Sequence, residues 1–165
     1  MVTCFGAANG IIDITAAAGG YGTYEYTING GTTWSGLGSF TNLAPATYDV
    51  RIRDAANTAC VITLNGTLII TQPPVLSATV TKTDVTCFGA SNGTITISAS
   101  AGGYGTYEYS INGGGSWQAL PNFTALSPGN YNVQIRDAAH PSCVIVLNNA
   151  LQITQPAALG AVVTT

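Results

Sequence analysis

The chain is one module written twice. VTCFGAANG at residues 2–10 returns as VTCFGASNG at 85–93, and GGYGTYEYTINGG at 19–31 returns as GGYGTYEYSINGG at 102–114. Cys4 maps to Cys87, Trp34 to Trp117, Arg53 to Arg136, Cys60 to Cys143 and Gln72 to Gln155, each pair 83 residues apart, so no insertion separates the copies. Such a period exceeds the roughly 20–50 residues of solenoid repeats and propeller blades and implies independent domains in tandem. The expected modules are residues 1–73 and 74–156. Residues 157–165, AALGAVVTT, align with the lead-in PVLSATVTK at 74–82 and read as the lead-in strand of a further repeat. The first copy has no such lead-in, so the sequence reads as a piece of a longer array. Neighbouring repeats of the same chain are the expected partners. An orphan tail and an open strand edge also allow head-to-tail self-association through the tail strand.

Side-chain alternation supplies the fold class. Tyr24, Tyr26 and Ile28 fall on one parity, and Thr23, Glu25 and Thr27 on the other, which is the period of a half-buried strand. Ile12, Ile14 and Ala16, and again Tyr48, Val50 and Ile52, take the inward parity. Differences between the copies respect this: Asp13 becomes Thr96, Thr27 becomes Ser110 and Arg51 becomes Gln134, all on the outward parity. Strands are predicted in the second copy near 75–83, 94–100, 105–112, 116–124, 130–137 and 143–155, separated by Gly, Asn and Pro turns. Short strands with regular turns predict an all-β chain of two tandem immunoglobulin-like antiparallel β-sandwich modules. NLAPATY and ALSPGNY resemble the tyrosine corner of such sandwiches, which makes Tyr48 and Tyr131 structural anchors by that resemblance.

Composition excludes several functions. Charged residues are 7% of the chain, against about 25% in an average soluble domain. Four basic residues, Arg51, Arg53, Lys82 and Arg136, and a net charge of −3 leave no basic patch for nucleic acid. No stretch approaches the roughly 20 apolar residues that would insert in a membrane, and the first residues lack the pattern of a signal peptide.

Four cysteines allow three pairings. Repetition favours Cys4–Cys60 and Cys87–Cys143, since only that choice gives each module the same staple. A six-strand alternation also brings the two loops of each pair to one end, whereas a seventh pass would separate them. Each bridge would close a loop of about 57 residues and contribute roughly 4 kcal/mol on a chain-entropy account. Disulfides would imply an oxidising compartment outside the cytoplasm. A metal site is the weaker reading, because there is no CxxC and the one histidine, His140, replaces Asn57.

No catalytic constellation or cofactor motif is expected: the first module has no histidine to serve a hydrolase triad. Among the acids, Glu25/Glu108 and Asp54/Asp137 recur. Glu25 is expected to pair with Arg51 or Arg53 across strands, and Asp54 and Asp137, opening turns, are the calcium candidates. Tyr21, Trp34, Tyr104 and Trp117, in or beside turns, are the candidate contacts for a surface polysaccharide or protein. Tyr24 and Tyr26 read as core.

The ordered run VTCFGAxNGxIxI, GGYGxYEYxINGG, a tryptophan, LxPxxYxVxIRDA, a cysteine and ITQP resembles the SprB-type repeat found in tandem in large surface adhesins of gliding Bacteroidetes. The resemblance covers nearly the whole chain in both copies. It implies cell-surface display, export by the type IX pathway, a structural role in adhesion or gliding motility, and no catalytic residues. The expected function is a stalk or spacer repeat. A carbohydrate-binding module and a strand-donating filament subunit are the alternatives.

Overall fold

Period-two alternation between glycine-rich turns produces eleven strands and no helix in the computed structural model, which describes residues 1–165. The chain divides into two compact units, Met1–Pro73 and Pro74–Thr165. The first unit holds β1 (Gly10–Asp13), β2 (Tyr24–Thr27), β3 (Ser39–Leu43), β4 (Ala46–Asp54) and β5 (Val61–Ile70). The second holds β6 (Ser77–Thr83), β7 (Gly93–Ala101), β8 (Tyr107–Ser110), β9 (Asn122–Leu126), β10 (Gly129–Asp137) and β11 (Val144–Ile153).

Each unit is a pair of antiparallel sheets. In the first, β1 pairs with β3, and β4 lies between β2 and β5. In the second, β7 lies between β6 and β9, and β10 between β8 and β11. Ile12 and Phe40 from one sheet of the first unit meet Val50, Ile70 and Leu68 from the other in a single apolar cluster that also takes in Val2. Burying both inner faces against each other makes this an all-β sandwich. Gly10 and Gly93 sit where the layers approach closely: a Cβ on either would come 2.9 Å from the Ile70 or Ile153 side chain.

The chain makes one more pass than six alternating strands supply. After β8 it turns back through a short segment whose Gln118 bridges Tyr109 antiparallel, and only then enters β9. The fourth strand expected over 116–124 is thus a single bridge followed by a later strand, Asn122–Leu126. The first unit repeats this with a Tyr26–Ser35 bridge before β3.

That seventh pass overturns the expected cysteine pairing. Cys4 lies beside the exit of β5, where Val2 N–H donates to the Thr71 carbonyl, while Cys60 stands just before the start of the same strand. Cys87 and Cys143 are placed likewise about β11, near Thr154 and next to Val144 respectively. Ten residues of strand separate the ends by about 30 Å. A disulfide needs Cα atoms within about 7 Å. Neither Cys4–Cys60 nor Cys87–Cys143 forms: Cys60 and Cys87 are free and exposed, and the disulfide-bonded cysteines are Cys4 and Cys143.

Candidate functional site

The GGYG loops are fastened from beneath by one carboxylate each. β4 ends at Asp54, which is buried. Its Oδ2 accepts the Tyr21 N–H at 2.6 Å, and its Oδ1 accepts the N–H groups of Ala56 and Asn57 at 2.8 and 3.1 Å. Asp137 holds Tyr104, Ala139 and His140 in the same way. The Tyr21 N–H holds the Asp54 carboxyl below the usual carboxylate range, burial opposes this, and the two turn amides add to the lowering. A phenol closes each loop from the other side, with Tyr24 Oη donating to the Gly19 carbonyl at 2.6 Å and Tyr107 Oη to that of Gly102 at 2.9 Å. Gly20 and Gly103 have positive φ and leave no room for a Cβ beside the carboxylate, so the doubled glycine is a packing requirement.

Asp54 and Asp137, the calcium candidates, therefore each receive three backbone donors from the loop they close. No three His, Cys, Asp or Glu side chains gather anywhere in the chain.

The outward parity of β2 is only partly outward. Glu25 and Arg53 pair across strands, Arg53 Nε donating to Glu25 Oε2 at 2.7 Å, and the guanidinium carbon lies 4.3 Å from the centre of the Trp34 ring. Arg136, Glu108 and Trp117 repeat the stack, at 2.7 Å and 4.4 Å. The candidate contacts Trp34 and Trp117 are thus half-buried plates over an ion pair. With Arg51 on Asp49 and Lys82 on Asp84, all four Lys and Arg side chains of the chain stand in ion pairs.

Thr27, expected outward, is 1% exposed, and Ser110 is 0%. Each hydroxyl sits under its own ING turn. Thr27 Oγ1 accepts the N–H groups of Asn29 and Gly31, both at 3.2 Å, and donates to Asn29 Oδ1 at 2.7 Å. Ser110 makes the same three bonds to Asn112 and Gly114. The one change between the two long motifs thus preserves a working hydroxyl.

Of the remaining candidates, Tyr21 projects its ring to solvent, 76% exposed, and Tyr104 stacks on His140 at 4.1 Å between ring centres. Tyr48 Oη donates to the Ala44 carbonyl and Tyr131 Oη to that of Ser127, both at 2.8 Å. Residue-by-residue reasoning missed a further pair of fasteners. Gln72 Oε1 accepts the Gly6 N–H at 2.7 Å and Gln155 Oε1 accepts that of Gly89 at 2.9 Å, tying the ITQP segment to the CFGA turn. Asn9 with Thr3, and Asn92 with Thr86, bracket the same turns by paired bonds. Recurrence at the common offset was the signal that marked these residues.

One segment in each unit, residues 2–33 and residues 79–116, matches a known protein family. Both match the SprB repeat. The segments take in the CFGA turn, the GGYG loop and the ING turn of their units, and in the second unit most of β6 as well. No curated protein and no solved structure matches the chain. No helix is long and apolar enough to cross a membrane.

Proposed function

We propose that the chain is a structural stalk or spacer segment of a large bacterial cell-surface adhesin serving surface adhesion or gliding motility, exported by the type IX pathway, and that it is not an enzyme. SprB repeats are structural repeats of cell-surface proteins, which supports the location and the class. One observation carries the mechanical reading. The recurring polar side chains Asp54, Glu25, Arg53, Gln72, Asn9 and Tyr48, and their partners one repeat on, bond to loops, turns and neighbouring strands of their own unit. Such a unit holds its shape without a ligand and exposes few charged sites to proteases.

Force spectroscopy of the tethered chain tests this. With the disulfide at Cys4 and Cys143 reduced, each unit, roughly 70 residues of folded chain, should release about 25 nm of contour length in a discrete event. Smooth extension without such events would refute a load-bearing role. Carbohydrate binding is the lesser reading, because Arg53 and Arg136 already occupy a face of the tryptophan rings. Binding on a glycan array that is lost on Trp34→Ala would reverse that order.

A further inference from the structure

Of the five Asn-Gly pairs in the chain, four are tied down and one is not. They begin at Asn9, Asn29, Asn65, Asn92 and Asn112. Such a pair carries its own chemistry. The glycine nitrogen can attack the carbonyl carbon of the asparagine side chain, because glycine has no Cβ to hinder the approach. A folded chain suppresses the attack where it holds the side-chain amide, the glycine, or both.

At Asn9 and Asn92 the side chain is gripped at both ends. Oδ1 accepts the N–H of Thr3 or Thr86, each at 3.1 Å, and Nδ2 donates to the hydroxyl of the same threonine at 2.6 or 2.8 Å. Their glycines are buried in β1 and β7, opposite Leu43 and Leu126. Asn29 and Asn112 are held more tightly still. Oδ1 accepts a hydroxyl and a backbone N–H, and Nδ2 donates to Thr33 or Ser116 at 2.9 Å. The glycine N–H is itself engaged, by the Asp49 or Asn132 carbonyl at 3.0 Å.

Asn65 differs on each count. It is exposed in the middle of β5, which has β4 on one side and no strand on the other. The register steps from Leu68 opposite Tyr48 to Asn65 opposite Val50, so Gly66 and Thr67 bulge without a partner residue. The side chain makes one hydrogen bond, Oδ1 accepting the Thr67 N–H at 3.0 Å. That donor sits on the oxygen where negative charge develops as a nitrogen attacks Cγ, so the one bond present favours the reaction.

We propose that Asn65 is a self-modification site. Gly66 N bonds to Asn65 Cγ and gives up its proton, the Cγ–Nδ2 bond breaks, and ammonia leaves behind a cyclic succinimide. Water then opens the ring at either carbonyl, producing aspartate or isoaspartate at position 65. Both products set a carboxylate in the middle of VITLNGTLII, an edge strand with no charged residue, where charge opposes pairing with a further strand. The second unit supplies an internal control. Asn148 has the same turn, its Oδ1 accepting the Ala150 N–H at 3.0 Å, but Asn149 follows it, and the Cβ of that residue hinders the nitrogen.

The test is peptide mapping by mass spectrometry after the whole folded chain has stood in mildly alkaline buffer, with isoaspartate located by fragmentation. Asn65 should react at least about tenfold faster than Asn9, Asn29, Asn92 and Asn112, each of which must first break two or more hydrogen bonds. In guanidinium the five should react at comparable rates. Gly66→Ala should slow the reaction at Asn65 by at least about tenfold. The new Cβ would meet only Thr63 Cγ2 at 3.7 Å, so the fold tolerates it. Equal rates at the five sites of the folded chain overturn the proposal. So does a preference for Asn65 that persists in guanidinium, or a rate that Gly66→Ala leaves unchanged.

Discussion

Replacing Leu76 by Ala should destabilise the second unit alone. Leu76 is 6% exposed and rests against Gly103. Burying a leucine side chain is worth about 1.5–3 kcal/mol, and Leu→Ala in closed cores costs about 2.7–5 kcal/mol once the residual cavity is counted. The first unit shows what the truncated site resembles: a groove open to solvent, which water can enter, so that little sealed cavity remains. The expected cost is therefore near the transfer value, about 2–3 kcal/mol. For a unit spanning Pro74–Thr165 this is a fall of roughly 10–15 °C in Tm. Each unit holds one tryptophan, so a chain with Trp34→Phe reports the second unit by Trp117 fluorescence, and one with Trp117→Phe reports the first. At low micromolar concentration Leu159→Ala, at a fully exposed position, should stay within about 0.5 kcal/mol of the parent. A loss below about 0.5 kcal/mol for Leu76→Ala, or an equal loss for Leu159→Ala, would refute the groove-filling account.

Thiol titration of the unreduced protein in denaturant should find two thiols per chain, Cys60 and Cys87; none would restore the within-module staples. Acid should destabilise the fold through carboxyls held below their ordinary range. For Asp54 the Tyr21 N–H is the main cause, for Asp49 the Arg51 guanidinium, and for Asp84 the Lys82 ammonium followed by the Thr154 N–H. Depressed folded-state values mean that this stabilisation is complete above the ordinary carboxylate value of about 3.9 and is lost as pH falls through the lower folded values. Urea midpoints should be level from about pH 7 to 5 and fall below about pH 4; a midpoint unchanged down to about pH 2 would contradict the clamps. Glu108→Gln should cost no more than about 1 kcal/mol, since the pair with Arg136 is partly exposed, and a cost above about 2 kcal/mol would mean the tryptophan stack depends on it.

Much of this was legible before any coordinates. The offset of 83 residues marked the repeats, and parity placed Val50 and Ile12 in the core, while Tyr24 and Tyr26 are half-buried rather than core. The ordered motifs pointed to the SprB repeat, whose match covers the first part of each motif run. Three things were not legible, each for a physical reason. The pass that carries Ser35 and Gln118 is held by a single bridge, too short for any periodic signal, yet it reverses the chain and sends the cysteines of each unit to opposite ends. Thr27 and Ser110 obey the outward parity, but the ING turn folds back over them, and parity reports only the side of the strand. The roles of Gln72 and Asn9 depend on turns brought alongside from distant sequence, so recurrence could flag them but could not say what they hold.

Amide hydrogen exchange tests the central claim most directly, that the recurring side chains fasten loops of their own unit. The N–H groups of Gly6, Tyr21, Ala56, Gly89 and Ala139 lie outside the strands and donate to Gln72, Asp54, Asp54, Gln155 and Asp137 respectively. They should exchange at least about 100-fold more slowly than an unprotected chain, and Asp54→Ala should release Tyr21 and Ala56 while leaving Gly6 protected. Exchange of these amides at the rate of free loops, in a chain whose strands stay protected, would contradict the account.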